Sequence, residues 1–557
     1  MNFPIFESKS NMMKRYLLYF FVAALVVASA CAPRSGDDSG NAAATPVYAS
    51  TNHQSLLEIA RLKTESDYTI PSFTRLRMAV TAVENDSTRA GELADALNSL
   101  VPAGMPFSVT VNIKGDPSSG MGFNWLTDSG YMSGQVQIVK GIAGNDRKFR
   151  RPFLTVRAVS VPVDTLPYSV RGNNLEALAG IPAGTKKSYS SHKATVSDLK
   201  PGRVYSYRVG NDENWSQTGT FTTAGRNQKE FSFMYTTDSQ ATTLADFDVS
   251  QTTTHTAFQI YPDVDLWICS GDLVNAAGTN NSQWEWDQFF GTQQDLFLNI
   301  PFAPVVGNHD RSPNKNFTYH FNTSEIDFDR EMSTSPGSVY SFVYGNTLFL
   351  AMSFEDYRRD GYLEALAKWM KEEVEKNPDV RWRIAFYHKN IYTGAAHQTD
   401  ADGIIVRDRF APLFDSLKID IALQGHDHVY QVIGPVKDKK LAPGSVSRLT
   451  EVSFDRRENL TGKMNGVFDV TEGTLYFLNN SAGKKKYNPR SKEDMDRDSE
   501  RLGVPDYWSL FTGRFGQTGR PTFSHINVTD EKITVTTYEV SDDGREIPFD
   551  RFEVVKK

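Results

Sequence analysis

Five short apolar runs between Phe231 and His428 constrain this 557-residue chain most, because each ends in residues able to hold a metal ion. The runs are FSFMYTTDSQ, DLWICSGDLVN, PFAPVVGNHD, RWRIAFYHK and IDIALQGHDH. Runs of this length, rich in β-branched and aromatic residues, are typical of buried strands. Ligands of open α/β sheets gather just beyond the carboxyl ends of strands. We therefore expect the five endings to converge on one site.

The residues at these endings suit a pair of divalent ions. Two such ions about 3.5–4 Å apart require oxygen ligands, imidazoles and a shared carboxylate, and they support phosphoryl displacement and activation of water. In GHDH, two histidines at a spacing of two lie on one side of an extended chain, so that each can serve one ion. A single motif also fits an ordinary turn, but the ordered series predicts a metal site. The predicted ligands are Asp238, Asp272, Asn308, His388, His426 and His428, with Gln240 as a further candidate.

Composition excludes several classes of partner and scaffold. The chain carries 60 basic and 67 acidic residues, and its net charge of −7 gives no general attraction to nucleic acid or to an anionic membrane surface. Its two cysteines, Cys31 and Cys269, are too few for a disulfide framework. We expect Cys269 to be a buried thiol, and the length predicts about three or four domains.

The first 31 residues resemble a lipoprotein signal peptide. A basic pair at residues 14–15 precedes the apolar run LLYFFVAALVVA, and small residues then lead into Cys31. In such signals the cysteine is lipidated and becomes the new N-terminus, so we expect an exported bacterial lipoprotein, tethered to a membrane at the periplasm or cell surface without spanning it. An uncleaved anchor or a plain secretory signal is the alternative. Met12 or Met13 fits the start of such a signal better than the first methionine.

A tether and a helical unit follow the signal. Residues 32–50 are rich in small and polar residues and lack apolar periodicity, which predicts a flexible tether. Residues 51–104 contain three stretches with apolar residues at helical spacing, which predicts a small three-helix unit. Its pattern resembles the FIVAR spacer modules of bacterial surface proteins, and a plain packing bundle is the alternative.

Two further regions differ in periodicity. Residues 106–224 consist of short alternating segments separated by Gly, Pro and Asp, which predicts an all-β sandwich. Its Trp125 and the run at 199–207 resemble the core tryptophan and tyrosine corner of fibronectin type III-like domains. Residues 229–545 alternate strands with helices, which indicates α/β layers. Within them the run KKKYNPRSKEDMDRDSER at 484–501 is dense in both charge signs, and we interpret it as a solvated insertion.

The ordered motifs D-S-Q, GDLVN, GNHD, IAFYH and GHDH resemble those of the calcineurin-like metallophosphoesterase superfamily. A preceding fibronectin-like domain points within it to the purple acid phosphatase family, over roughly residues 106–545. Together with the helical spacer and the all-β sandwich, the resemblance implies a multidomain chain whose α/β metallophosphoesterase domain is built as an αββα four-layer sandwich.

The resemblance also implies how the ligands divide between two ions. Asp272 bridges both ions, and the other ligands form the sets Asp238 with His428, and Asn308 with His388 and His426.

Three further residues receive catalytic roles from the same resemblance. His309 becomes the general acid or a phosphate contact, and Asp310 its orienting neighbour. His397, nine residues after His388, faces the substrate phosphate or is a plain loop histidine.

Two positions depart from the purple members. Asn275 stands three residues after Asp272, where those proteins carry the tyrosine that colours ferric iron, so a tyrosinate–ferric centre is not expected. Gln240 stands where they carry glycine and other superfamily members carry histidine. It either replaces that ligand weakly through its amide oxygen or only forms hydrogen bonds, and both residues are kept as candidate ligands. The cofactors expected are two divalent ions such as Mn, Fe(II), Zn or Mg.

The sequence therefore predicts a membrane-anchored binuclear enzyme that hydrolyses phosphate monoesters by attack of metal-bound hydroxide. Its expected partner is a phosphorylated small molecule or another phosphoester, and no nucleic acid. A phosphodiesterase or nucleotide phosphohydrolase is the alternative within the superfamily. A surface binding protein with a vestigial phosphoesterase domain is the alternative from another class. The oligomeric state and the natural substrate are not indicated.

Overall fold

The structure is a computed structural model, and it describes residues 47–48, 51–168, 181, 184–275, 283–311, 315–323, 326–443, 466–517 and 519–557. The predicted signal peptide with Cys31, and nearly all of the predicted tether, lie outside these residues. Contacts divide the described residues into two units, one of those up to residue 105 with residue 181, and one of those at 106–168 and from 184 onwards.

The described part of the first unit is a small helical bundle. Its helices are α1 (His53–Arg61), α2 (Ile70–Asn85) and α3 (Ala90–Asn98). The side chain of Asn52 caps α1 by accepting a hydrogen bond from the Ser55 backbone N–H. Apolar residues at helical spacing, such as Leu76 and Leu93, meet in its core. Its assignment as a spacer stays a prediction.

The second unit begins with strands of the predicted sandwich region. They are β1 (Phe107–Asn112), β2 (Met121–Asp128), β3 (Gln135–Lys140), β4 (Leu154–Arg157), β5 (Val159–Pro167), β6 (Lys186–Val196), β7 (Val204–Gly210) and β8 (Gly219–Thr222). Trp125 is buried and stacks on His192 with ring centroids 5.2 Å apart. The Tyr205 hydroxyl accepts a hydrogen bond from the Lys200 backbone N–H at 2.9 Å. Both aromatic residues belong to the core, and the fibronectin-like assignment of the sandwich stays a prediction.

The remainder of the second unit alternates strands and helices. In chain order they are β9 (Glu230–Thr236), α4 (Leu244–Ile260), β10 (Leu266–Cys269), α5 (Gln283–Gly291), α6 (Gln294–Asn299), β11 (Phe302–Pro304), α7 (Asn316–His320), α8 (Asp327–Met332), β12 (Tyr340–Tyr344), β13 (Thr347–Ala351), α9 (Tyr362–Lys376), β14 (Trp382–Tyr387), α10 (Ala401–Leu417), β15 (Ile421–Gln424), β16 (Tyr430–Lys437), β17 (Lys440–Leu441), β18 (Gly466–Asp469), β19 (Thr474–Asn479), α11 (Lys492–Leu502), β20 (Phe511–Gly516), β21 (Thr522–Thr529), β22 (Lys532–Val540) and β23 (Glu546–Val555). None of the helices within the described residues combines the length and apolar character that a bilayer span needs.

Two large sheets organise this unit, and a smaller sheet completes the sandwich region. The first sheet has the order β18-β23-β22-β21-β9-β10-β11-β1-β2-β6-β5, the second β12-β13-β14-β15-β19-β16-β17 with β20 beside β16, and the third β4-β3-β7-β8. Strand β1 pairs in parallel with β11 at Asn112 and Phe302, so the sandwich region and the α/β region share one sheet.

The two large sheets pack face to face, with helices on their outer faces. Phe233 on β9 meets Phe349 on β13 edge to face, with ring centroids 5.5 Å apart, between the sheets. On the outer faces, Phe258 of α4 packs on Trp267 of β10, and Phe414 of α10 packs on a tyrosine of β14. This layer order is helix, sheet, sheet, helix.

Parallel pairing determines where the strand ends lie. Strands β9, β10 and β11 are parallel neighbours in the first sheet, and β13, β14, β15 and β19 are parallel neighbours in the second. Parallel neighbours end at the same edge of their sheet. The residues that follow β9, β10, β11, β14 and β15 are those in which the sequence predicts metal ligands.

Candidate metal centre

The predicted ligands lie in sharp turns directly after the strands. Asp238, Asp272 and His426 have positive φ angles of 55°, 51° and 72°, which turn the chain abruptly out of β9, β10 and β15. Such left-handed backbone costs about 1–3 kcal/mol for each residue other than glycine, and it is concentrated at functional sites. Glycines in these turns provide space that a side chain would fill. A Cβ atom on Gly307 would lie 2.1 Å from Asp272 Oδ1, and one on Gly425 would lie 2.3 Å from Thr237 Oγ1.

The ligand atoms converge in two overlapping groups. In each group the carboxylate oxygens and imidazole nitrogens all lie within 4.8 Å of one another: Asp238, Asp272 and His428, and Asp272, His388 and His426. Asp272 belongs to both groups, as the bridging position requires. Asn308 adjoins the second group, with its Oδ1 3.1 Å from His388 Nε2. The structure thus brings the six predicted core ligands together.

Hydrogen bonds from outside the cluster fix which histidine nitrogens face it. His388 Nδ1 lies 3.0 Å from the Ser270 carbonyl, and His428 Nδ1 lies 2.9 Å from the Lys485 carbonyl. A carbonyl only accepts, so each Nδ1 carries the hydrogen and a neutral ring directs the lone pair of Nε2 into the cluster.

Those lone pairs meet other acceptor atoms. His388 Nε2 lies 3.2 Å from Asp272 Oδ2, and His428 Nε2 lies 3.3 Å from Asp238 Oδ1. Acceptors at this separation repel each other unless a proton or a cation lies between them, and all four side chains are buried. This donor set of imidazole nitrogens, carboxylates and one amide oxygen fits two divalent cations that share Asp272.

The pKa values of the cluster also indicate that a positive charge is favourable there. Burial alone lowers the pKa of His388, but the adjacent Asp272 carboxylate outweighs burial and raises it to about 10. Burial also opposes ionisation of Asp272, yet His388 and His309 hold the pKa of its carboxyl well below the ordinary value. Burial and the neighbouring His388 lower the pKa of His426 far below 6.5, so its ring is neutral and able to bind a cation.

Gln240 borders the cluster as a hydrogen-bonding residue. Its amide nitrogen donates to Asp272 Oδ2 at 2.9 Å, and its amide oxygen accepts from Lys485 Nζ at 3.4 Å. Of the two roles predicted for Gln240, this arrangement favours hydrogen bonding to the bridging carboxylate over ligation.

Asn275 contributes its backbone to the site. Its N–H donates to Glu285 at 2.8 Å, and its carbonyl accepts from His309 Nδ1 at 2.6 Å. Both contacts use the backbone of Asn275, so they do not support the candidate ligand role of its side chain.

The prediction that Asp310 orients His309 is wrong, because the Asp310 carboxylate binds other groups. The Asp310 carboxylate accepts hydrogen bonds from the backbone N–H groups of Val274 and Gly307, each at 2.9 Å, and it therefore ties two ligand loops together. Burial, reinforced by the nearby Asp272, raises the pKa of Asp310 well above its ordinary value. The contact that orients His309 is the Asn275 carbonyl described above, and the His309 backbone N–H donates to Asp272 at 2.9 Å.

His397 lies at the rim of the cluster. Its ring stacks on the ring of His426 with centroids 3.9 Å apart, and its side chain remains 29% exposed. His397 Nδ1 lies 2.8 Å from Asp400 Oδ2. The sequence analysis missed Asp400, for which the only signal was an acidic residue three positions after the histidine.

Residues 485–487 also line the site, so the interpretation of the charged run as a solvated insertion is wrong there. The ring of Tyr487 lies 4.6 Å from that of His428. Lys486 is largely buried, where its ammonium donates to Ser481 Oγ at 3.3 Å. Burial lowers the pKa of Lys486 to about 7, although Asp238 opposes that shift. The signal that could have found this segment is β19, whose carboxyl end lies beside that of β15.

The layered fold and this site together define a class of protein: an α/β sandwich with a binuclear metal centre at the carboxyl ends of its strands. Residues 106–223 match the family model described as Purple acid Phosphatase, N-terminal domain, and residues 232–430 match the model described as Calcineurin-like phosphoesterase. The chain therefore carries a calcineurin-like phosphoesterase domain preceded by a purple acid phosphatase N-terminal domain, which confirms the predicted resemblance.

Individual relatives are distant. An uncharacterized protein of Mycobacterium tuberculosis is 23% identical over 319 residues, which is 53% of this chain and 58% of that protein. A probable inactive purple acid phosphatase of Arabidopsis thaliana is 22% identical over 324 residues, or 52% of this chain and 51% of that protein. The chain thus spans little more than half the length of these curated relatives.

A solved structure supports the fold. The purple acid phosphatase PPD1 from yellow lupin (Lupinus luteus) seeds superposes with a TM-score of 0.58 at 16% sequence identity. The similarity covers 82% of this chain and 75% of the lupin chain.

Proposed function

We propose that this protein is a metal-dependent hydrolase of phosphate monoesters. The observation that carries the proposal is the pair of buried ligand groups that share Asp272, with His309 and His397 beside them. Two divalent ions, when bound there, would supply activated water and neutralise charge on the phosphoryl oxygens. The remaining tasks, which are protonation of the leaving group and placement of the phosphoryl group, fall to side chains of this chain.

His309 is the residue we assign to the leaving group. Its Nδ1–H donates to the carbonyl of Asn275, and the backbone N–H of Asn275 in turn donates to the Glu285 carboxylate. The ring therefore has one fixed tautomer and orientation. Nε2 then remains to exchange a proton with the substrate. A proton delivered from Nε2 to the leaving oxygen prevents the build-up of alkoxide or phenoxide charge as the P–O bond breaks.

His397 is the residue we assign to the phosphoryl oxygens. Its ring lies flat on the ligand His426, which sets its distance from the metal centre, and the Asp400 carboxylate holds Nδ1. In the doubly protonated ring, Nε2–H then donates a hydrogen bond to oxygens whose negative charge changes during the reaction.

Retention of the ligand set supports catalysis over a vestigial, purely binding role. Asp238, Asp272, Asn308, His388, His426 and His428 are all present, and their acceptor atoms face one another at distances that call for cations. A domain that only binds a partner has no need to keep such an arrangement. One relative is named a probable inactive phosphatase, so the activity of this chain requires a direct test.

The test uses metal-stripped protein, restored in parallel with Mn, Fe(II), Zn or Mg. We expect no hydrolysis after chelation and restored hydrolysis of p-nitrophenyl phosphate, with slower turnover of bis-p-nitrophenyl phosphate. Preference for the diester would instead identify a phosphodiesterase. No turnover of either ester, with two ions bound per chain, would contradict the proposal.

We further propose that the protein is exported and anchored through Cys31. The support is the sequence pattern alone, a basic pair, an apolar run and small residues before the cysteine. We expect wild-type protein in the membrane fraction and nearly all of the Cys31→Ala variant outside it, without the lipid mass on its N-terminal peptide. Cys269→Ala is the matched control and should stay in the membrane fraction. A membrane-bound Cys31→Ala variant would contradict lipid anchoring.

A further inference from the structure

Lys485 lies beside the metal centre, and the chain holds it there from three directions. Its backbone carbonyl accepts the Nδ1 hydrogen of the ligand His428 at 2.9 Å. Its ammonium is 3.4 Å from the amide oxygen of Gln240 and 5.2 Å from the ring centroid of Tyr487. Because Gln240 in turn donates to the bridging Asp272 at 2.9 Å, the lysine is two hydrogen bonds away from the shared carboxylate.

The surroundings of the Lys485 ammonium differ from those of the neighbouring lysines. Among the described residues, no carboxylate lies at ion-pair distance from its ammonium. The other lysines of this region differ: Lys484 pairs with Asp246 at 3.0 Å, and Lys389, which follows the ligand His388, pairs with Asp402 at 2.7 Å. The side chain of Lys485 is also only half-buried, whereas the carboxylate and imidazole ligands are buried.

An uncompensated lysine is unfavourable next to a site for cations. Two divalent ions carry four positive charges, and the carboxylates of Asp238 and Asp272 balance two of them. A further ammonium repels the remaining charge in a site of reduced dielectric constant. That repulsion is relieved when an anion with more than one negative charge enters between the ions and the lysine.

We propose that Lys485 binds the reacting phosphoryl group and selects dianionic phosphate monoesters over monoanionic diesters. This inference rests on the proposed function and identifies a specificity-determining residue for it. A monoester is largely a dianion above about pH 7, because its second pKa is near 6. A diester carries one charge and lacks the extra oxygen anion that an ammonium would bind. Charge-assisted hydrogen bonds of this kind are the stronger ones in proteins.

The test compares Lys485→Ala with wild-type protein in the metal-loaded state at pH 7.5. We expect kcat/KM for p-nitrophenyl phosphate to fall about tenfold or more, and that for bis-p-nitrophenyl phosphate to fall no more than about threefold. Isothermal titration with inorganic phosphate should show a similar loss of affinity for the dianion. Lys485→Arg, which keeps the charge, should recover most of both losses.

Lys484→Ala is the matched control, because it removes the neighbouring ammonium, which is exposed and already paired with Asp246. It should leave the ratio of the two kcat/KM values and the phosphate affinity unchanged. Metal content and melting temperature should be the same in all variants, since the contact to His428 uses the backbone of residue 485.

Equal losses for both esters in Lys485→Ala, or unchanged phosphate affinity, would overturn the inference. If wild-type protein hydrolyses neither ester, the proposed function fails, while phosphate titration still decides whether Lys485 binds the dianion.

Discussion

Replacing Asp272 by Asn is expected to lower turnover of p-nitrophenyl phosphate by about a thousandfold or more. Asp272 is the one residue common to both ligand groups, so the substitution removes a negative charge from two cation sites at once. It also replaces one of the two oxygens, which accept from Gln240 and from the His309 backbone, by an NH₂ group that can only donate. The bound metal, measured by elemental analysis, should fall from two ions per chain to one or none.

Asp287→Asn is the matched control for that experiment. Asp287 is buried outside the site, where it accepts hydrogen bonds from the hydroxyls of Tyr168 and Tyr189 at 3.0 and 3.1 Å. Burial raises the pKa of Asp287 to about 7, so an uncharged amide is a mild change. Turnover and metal content should stay near wild type. Phosphatase activity that persists in a clean Asp272→Asn preparation with two bound ions would refute the site assignment.

Replacing His309 by Gln is expected to have an effect that depends on the leaving group. Phenyl phosphate releases a basic phenoxide that needs a proton, whereas p-nitrophenyl phosphate releases a weakly basic one. General acid catalysis contributes about 10²- to 10⁴-fold, so kcat for phenyl phosphate should fall by that factor. The loss for p-nitrophenyl phosphate should stay within about tenfold. Steady-state rates for the two substrates under the same metal loading provide the measurement.

His397→Gln separates the two histidine roles. Since we assign His397 to the phosphoryl oxygens, its loss should slow both substrates by a similar factor. A leaving-group dependence in His397→Gln, with equal losses in His309→Gln, would exchange the two roles. Equal losses in both variants would remove the assignment of a general acid to either histidine.

The metal ligands could be predicted from the sequence because both their residue types and their positions at strand ends can be read from short stretches of the chain. Each follows a recognisable buried strand, and parallel strands bring such endings to one edge. Asp238 and His428 are 190 positions apart, yet each lies within four residues of the end of its own strand. The order of the motifs along the chain was therefore sufficient to predict the metal ligands, without knowledge of the path of any loop.

Contacts that depend on the path of a loop could not be predicted. Asp310 follows His309 directly, but the chain turns there, with the Arg311 N–H donating to the Gly307 carbonyl at 3.1 Å, and the Asp310 carboxylate binds Val274 and Gly307 instead. Lys485 and Tyr487 reach the site because β19 lies beside β15, a pairing that no local pattern in the charged run indicates. A high density of charged residues is equally compatible with an exposed segment and with a segment that holds a lysine beside an active site.

The short parallel pairing of β1 with β11 has a consequence for how the molecule can be divided. The first family match ends at residue 223 and the second begins at residue 232, which suggests a domain boundary between them. The two regions are nevertheless joined in one sheet, because β1 pairs with β11 at Asn112 and Phe302. Removal of the sandwich region would leave the backbone groups of β11 unpaired along an exposed strand, a form that promotes association with other chains. The sandwich region thus covers β11, which would otherwise be an edge strand of the sheet whose strands lead into metal ligands.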